Sequence, residues 1–274
     1  MKPFEVIDFL VSKKTFRVVY DPKRKALKTD VQLSQKELAA YYPKDSYASH
    51  KSKSTDFLSQ VYLWVKNQNN KTKLRWIGRR VAKGKLLDYG AGNGSFAAAA
   101  QKRGWSVDVY EPATTTAETL AENKLNTITT LPATSTYDVI TLWHVFEHLP
   151  KPEHALLTFF NALKPGGTLV LAVPNTDAWD AKHYGPFWAA FDVPRHLWHY
   201  NKESILHLTK QAGFLPIQIM NMFWDVYYIA LLSEKHSNSF APWIKAIFKG
   251  TYSNLVGWNK KNSSALTFFL QKPK

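Results

Sequence analysis

The densest run of residues able to do chemistry is Lys85-Leu-Leu-Asp88-Tyr-Gly90-Ala-Gly92-Asn-Gly94-Ser, with Glu111 at the end of the next apolar run. Its pattern is a buried strand, a glycine turn, a helix start, and then a second strand whose terminal carboxylate can take both hydroxyls of a ribose. Glycine is needed where backbone must approach a ligand closely or adopt positive φ. Together these features describe a nucleoside-cofactor site. Further along, His144-Val-Phe-Glu147-His148 follows an apolar strand, and the loop Ala181–Asn201 carries His183, Arg195, His196 and His199. Imidazoles titrate near neutral pH and are frequent general bases. His148 or His196 is therefore expected to take a substrate proton, with Arg195 as a clamp for a carboxylate or phosphate. Each histidine also has an ordinary reading, as a packing residue among Trp188, Trp198 and Tyr200.

The glycine spacing narrows the cofactor. A dinucleotide fingerprint places a third small residue beneath a pyrophosphate, whereas here Ser95 follows Gly90, Gly92 and Gly94 in a G-x-G-x-G form. That form suits S-adenosylmethionine, which has no pyrophosphate. Turn amides would approach its amino-acid portion, and Asp88 would accept from those amides or hold a water near the ammonium.

On these residues the chain resembles the class I S-adenosylmethionine-dependent methyltransferases, over about Lys85 to Asn175. The resemblance rests on Leu86-Leu-Asp88-Tyr-Gly90-Ala-Gly92-Asn-Gly94, Glu111-Pro112, Tyr137-Asp138-Val139-Ile140, His144 to Pro150 and Leu163-Lys-Pro-Gly-Gly-Thr-Leu169. Phe191 to Tyr200 is similar to a subgroup that includes relatives of ubiquinone-pathway O-methyltransferases and sugar C-methyltransferases. The resemblance implies that Thr130 and Leu131 lie near the adenine, and that Trp143 and His144 line the methyl end of the cofactor. Some members of that subgroup carry a zinc-ribbon-like segment ahead of the catalytic core. Phe16–Leu33 resembles one in strand pattern but has Tyr20, Asp21, Lys23 and Arg24 where a knuckle would bind, and the chain has no cysteine, so no structural zinc is expected.

His144 to His148 also matches the H-x-x-E-H pattern of certain zinc proteases. Such a site needs both histidines on one helical face, but this segment directly follows the strand Val139–Trp143 and precedes Pro150 and Pro152. A divalent cation on Glu147 and His148 is a second reading. The preferred one has both residues fixing the loop over the cofactor, because a hard cation wants more oxygen ligands than one carboxylate supplies. No metal is assigned.

Stepping along the chain gives the elements that must hold these groups. Strands are expected at 85–89, 106–111, 126–130, 137–143 and 167–173, and helices near 94–103, 114–123 and 153–163. This alternation requires a parallel sheet with right-handed crossovers. Beyond Thr176 come a helix at 201–212, a strand at 215–221 and a last strand at 265–271. The fold class is thus α/β: a Rossmann-like, seven-stranded, mostly parallel sheet with helices on both faces, a small N-terminal subdomain and a helical cap insertion. Residues 1–83 are assigned to the basic subdomain, with a strand at Thr15–Tyr20 and a helix from about Ser54 to Val65. Residues 84–274 form the cofactor-binding domain, with an aromatic cap at about 176–264. The segment Trp224–Ser264 is expected to cap the pocket, form a homodimer contact or rest on a membrane surface.

Of 274 residues, 45% are hydrophobic, ample for one core with an appended subdomain. The absence of cysteine excludes disulfide scaffolds, thiolate metal sites and thiol nucleophiles. Neither a signal peptide at Met1–Tyr20 nor a membrane span at Phe214–Leu232 is legible, and the chain is read as a soluble cytoplasmic protein. The net charge of +15 is concentrated in residues 1–83, where 19 Lys/Arg stand against 7 Asp/Glu. That excess suits a phosphate-rich partner or is simply a solvated face. The expected activity is methyl transfer to oxygen or carbon of a small molecule or glycan and envelope precursor. The alternatives are an RNA methyltransferase using the basic segment, though no aromatic-rich RNA-binding motif is present there, and a non-catalytic binding module on the same fold.

Overall fold

The computed structural model describes residues 2–42, 57–113 and 116–274. The first elements are three short antiparallel strands, β1 (Phe4–Ile7), β2 (Thr15–Asp21) and β3 (Ala26–Thr29). In the segment compared above with a zinc ribbon, the turn after β2 is tied by Asp21, which accepts from the Arg24 backbone N–H at 2.9 Å and pairs with its guanidinium at 2.8 Å. A capping box of Ser34 and Glu37 starts helix α1 (Gln35–Ala39).

Helix α2 (Phe57–Gly78) runs well past Val65, where the sequence reading ends it. The polar run Lys66–Lys73 looks like a loop, yet Asn70, Lys73, Leu74 and Ile77 are buried at helical spacing, so the stripe facing the core is half polar. Ser54, Thr55 and Asp56 of the expected helix lie outside the described residues.

From Lys85 the alternation unfolds as β4 (Lys85–Tyr89), α3 (Ser95–Gln101), β5 (Ser106–Tyr110), α4 (Ala117–Glu122), β6 (Asn126–Thr127), β7 (Tyr137–Trp143), α5 (Pro152–Ala162) and β8 (Leu163–Pro174). There follow α6 (Trp179–Tyr184), β9 (Trp198–His199), α7 (Lys202–Gln211), β10 (Leu215–Asn221), α8 (Asp225–His236), α9 (Pro242–Gly257) and β11 (Ala265–Gln271). The main sheet has the order β10-β11-β8-β7-β4-β5-β6. Its neighbours from β8 to β6 run parallel, and β11 is antiparallel to both β8 and β10.

Adjacent strand residues face opposite sides of a sheet, and here both sides are apolar because helices cover both. Leu87, Ile140, Leu169, Leu171 and Phe268 pack with Leu156 and Phe159 of α5 and Ile205 and Leu208 of α7. On the other side Leu86, Val139, Val170 and Phe269 pack with Leu74 and Ile77 of α2 and Phe96, Ala97 and Ala100 of α3. The expected strand 126–130 shrinks to two exposed residues at the sheet edge, where no neighbour extends it. The expected strand 167–173 instead begins at Leu163, which pairs with Tyr137 ahead of a register shift. Helix α4 starts at Ala117, with Thr114 and Thr115 outside the described residues.

The N-terminal sheet is completed from far away: Leu27 pairs with His199 and Lys28 with Trp198, so its order is β1-β2-β3-β9. Val6, Val18 and Leu27 share a core with Tyr184, Trp188, Phe191 and Val193 of the histidine loop and with Ala230 and Leu231 of α8.

Candidate active site

The carboxyl ends of β4, β5 and β7 lie side by side, the crevice where ligands bind in open α/β sheets. Asp88, next to last in β4, is almost wholly buried and accepts from the Thr141 hydroxyl at 2.8 Å. Burial pushes its carboxyl up to about 6, against the opposing pull of Thr141 and Lys73. The glycine turn follows. At Gly90 φ is +74°, and a Cβ would sit 2.5 Å from Val145; at Gly94 φ is +71°, and a Cβ would meet Leu125 at 2.6 Å. Gly92 is different, for among the described residues a Cβ there would meet nothing within 4 Å. Backbone is thus presented to open space at the centre of the turn. Glu111, one residue past β5, reaches back so that Oε2 accepts from Gly92 N–H at 2.7 Å and Oε1 from Ala113 N–H at 2.9 Å. Pro112 is exposed beside it, as is Thr130 beyond β6, while Leu131 is half-buried. An open backbone cradle rimmed by two carboxylates fits the amino-acid and ribose ends of an adenosyl donor.

At the end of β7 the groups are more tightly enclosed. Trp143 stands edge-on to Phe96 with centroids 5.2 Å apart, has Lys73 Nζ 4.2 Å from its ring centroid, and among the described residues keeps its buried Nε1–H without a hydrogen-bond partner. His144 takes a left-handed backbone, φ +57°, which costs a non-glycine residue about 1 kcal/mol or more. Its Nε2 lies 2.8 Å from Asp225 Oδ2 and its Nδ1 3.6 Å from Glu147 Oε1. Burial lowers this imidazole's pKa, but the hydrogen bond to Asp225 and the neighbouring Glu147 carboxylate outweigh it and raise the value to about 9. His144 is accordingly a cation at neutral pH.

Behind it Glu147 is 1% exposed, and among the described residues neither carboxylate oxygen has a hydrogen-bond partner. Burial acts to protonate it, yet the imidazoles of His144, His196 and His148 hold its pKa below the ordinary carboxylate value. The His148 and His196 rings meet edge to face with centroids 4.6 Å apart. His148 Nδ1 lies 2.9 Å from the Arg195 carbonyl and 3.1 Å from the Tyr42 hydroxyl, and burial, then the neighbouring His196, pushes its pKa down to about 4. His196 Nδ1 lies 2.8 Å from the Ala190 carbonyl, leaving Nε2 at 3.9 Å from both Glu147 Oε1 and Asp192 Oδ2. One ligand atom each from Glu147, His148 and His196 fall within 4.8 Å of one another. Such a set can relay a proton, or offer a carboxylate and two imidazoles to a nitrogen-favouring cation. His199 faces elsewhere, with Nε2 2.9 Å from the Thr29 hydroxyl, and His183 stacks on Trp179.

Arg195 already has its anions. It is 4% exposed; Nε and Nη2 bond Asp192 at 3.0 and 2.5 Å, Nη2 reaches Asp8 Oδ1 at 3.3 Å, and Nη1 donates to the Tyr41 carbonyl at 3.0 Å. The guanidinium expected to clamp a substrate anion closes on the chain's own carboxylates and pins the N-terminal sheet to the histidine loop.

Three residues at this end escaped sequence reasoning. Asp225 opens the cap helix α8, Asn69 of α2 donates to its Oδ1 at 3.2 Å, and Lys73 of α2 sits over Trp143. The one signal for the α2 pair was the polar stripe at helical spacing with Leu74 and Ile77. For Asp225 there was none.

A family model described as a methyltransferase domain matches residues 63–219, more than half of the chain. The chain belongs to this methyltransferase family. With the family comes the reaction class, methyl transfer. Solved structures share the fold at low identity. Phosphoethanolamine N-methyltransferase 2 of Haemonchus contortus, in complex with S-adenosyl-L-methionine, is 16% identical, with 99% of this chain and 71% of that one covered at a TM-score of 0.57. The 1,6-didemethyltoxoflavin-N1-methyltransferase of Burkholderia thailandensis, with 1,6-didemethyltoxoflavin and S-adenosylhomocysteine bound, is 12% identical, with all of both chains covered at a TM-score of 0.54. A methyltransferase of Archaeoglobus fulgidus is 15% identical, with 79% of this chain and 100% of that one covered at 0.53. No curated protein matches in sequence.

Proposed function

We propose that this chain transfers the S-adenosylmethionine methyl group to an oxygen or carbon of a small molecule or a glycan and envelope precursor, with His196 as general base. The observation that carries the reading is the adjacency, at the carboxyl ends of three neighbouring strands, of a carboxylate-rimmed backbone cradle and a buried imidazole–carboxylate cluster.

The donor brings a methyl group already activated by its sulfonium, so the protein mainly has to align the acceptor. Asp88 and the Gly90–Gly94 backbone would hold the amino-acid end, Glu111 beside Pro112 the ribose, Thr130 and Leu131 the adenine, and Trp143 and His144 the methyl end. An oxygen or carbon acceptor must also lose a proton. His148, pushed down to about 4, is a weak base at neutral pH and serves to position the ring beside it. The Nε2 of His196 faces Glu147 and Asp192, carboxylates placed to stabilise the imidazolium that forms on taking a proton. Cationic His144 cannot act as a base; it fixes the loop between the cofactor end and the cap.

A mass-spectrometric screen of cell extract for a gain of one methylene identifies the acceptor. With that acceptor, His196→Ala should lower kcat by about 10²–10⁴-fold while calorimetric affinity for S-adenosylhomocysteine stays unchanged. Failure of the folded protein to bind either S-adenosylmethionine or S-adenosylhomocysteine would overturn the proposal.

A further inference from the structure

Helix α9 is built inside out. The residues it turns toward the rest of the protein are Ala246, Gly250, Ser253, Asn254 and Gly257, all buried at helical spacing. They are small or polar for a reason: a Cβ at Gly250 would meet Tyr227 of α8 at 2.9 Å, Ser253 donates to Asp180 at 2.7 Å, and Asn254 donates to the Phe223 carbonyl at 2.9 Å. The opposite face is where this helix keeps its large side chains. Ile244, Phe248 and Leu255 lie in line there, 59%, 72% and 69% exposed, flanked by Trp243, Ile247 and, beyond the helix ends, Phe240 and Trp258. A surface helix of a globular protein carries the reverse pattern, and a contiguous apolar face of this kind marks an interaction site.

The charge around the face says what covers it. From Lys235 to Lys261 there are five lysines and no aspartate or glutamate. Lys249 is paired with Glu234 at 2.6 Å. Lys235, 5.5 Å from the Trp243 ring centroid, and Lys245, bonded to the Ser239 hydroxyl at 2.8 Å, border the apolar residues, with Lys260 and Lys261 exposed just past Trp258. A second copy meeting this face about a two-fold axis would set lysine against lysine with no acid to offset them. An anionic bilayer supplies both requirements, an apolar layer for the aromatic side chains and a negative headgroup plane for the lysines.

We propose that α9 is a peripheral membrane anchor, lying flat on an anionic lipid surface with Ile244, Phe248 and Leu255 at the headgroup–acyl boundary. Docking in this way is independent of whether methyl transfer proceeds as proposed above. The cap has a direct line to the site, because α8, against which α9 packs, begins with the Asp225 that holds His144.

The test is co-sedimentation of the full chain with vesicles of phosphatidylcholine alone and of phosphatidylcholine mixed with phosphatidylglycerol, at low and high salt. Binding is expected to the mixed vesicles only and to weaken with salt. The double variant Phe248→Glu/Leu255→Glu should lower partitioning on the order of a hundredfold while its thermal unfolding and S-adenosylhomocysteine affinity match the parent. No binding to the mixed vesicles would overturn the assignment, as would binding that the double variant retains. A concentration-dependent dimer in sedimentation velocity, dissolved by the same variant in a protein that ignores vesicles, would overturn it in favour of a second copy.

Discussion

The two ends of the candidate site are assembled in opposite ways. The cofactor end is local: Asp88, the glycine turn and Glu111 span one strand–turn–helix–strand unit, and Glu111 bonds a backbone N–H only 19 positions before it. The histidine end is drawn from everywhere. Tyr42 reaches His148 across 106 positions, Asp225 reaches His144 across 81 and Asp8 reaches Arg195 across 187. The proposed cofactor end is therefore a compact local unit, whereas the proposed acceptor end depends on how the histidine loop, α8 and the N-terminal sheet settle against one another.

If that contrast is right, damage at one end should leave the other intact. The largest effect is expected from Asp8→Ala, which strands part of a buried guanidinium. Stability should fall by about 3 kcal/mol, read as a lower Tm in circular dichroism, with S-adenosylhomocysteine affinity unaltered once folded. An unchanged Tm would mean that Asp192 alone compensates Arg195 and that the two ends differ less than the geometry implies. The converse variant, Glu111→Ala, should weaken cofactor affinity by about 1–3 kcal/mol by calorimetry and leave Tm nearly untouched. An unchanged dissociation constant would remove Glu111 from the ribose.

Titration gives the smallest effects but separates the ends within one sample. Donor affinity should drop as pH falls through about 6, because Asp88 then loses the charge that faces a cationic donor, by no more than about tenfold per unit. His144 has the opposite sign. Its pKa is raised on folding, so its contribution to stability is complete below the ordinary value of 6.5 and is lost as pH rises through about 9. Melting curves that decline on the alkaline side while donor affinity holds would sharpen the division; affinity flat through pH 6 would take Asp88 out of the charge balance.

The same contrast explains what was legible in the sequence. Strands Lys85–Tyr89, Tyr137–Trp143 and Ala265–Gln271 stand where their apolar periods put them, because burial on both faces leaves a continuous apolar signature; Leu215–Asn221 also stands where expected, as a largely exposed edge strand. Helix α2 extends past Val65 because Lys73 and Asn69 meet partners on β7 and α8 that no local pattern reveals. Strand β9 is two residues long and exists only because β3 lies beside it. Arg195 could be recognised as an anion binder from its type, and Asp192 stands only three residues before it, but its second anion, Asp8, depends on a contact between the turn after β1 and a distant loop.

The pairing of β3 with β9 also bears on how the polypeptide matures. Thr29 and His199 are 170 positions apart, so on a ribosome the N-terminal hairpin emerges long before the segment that will cover its outer edge. Until residue 199 is made, that edge offers unpaired amides and carbonyls to any passing strand. A holding chaperone, or slow release of the nascent chain, would matter most for this stretch.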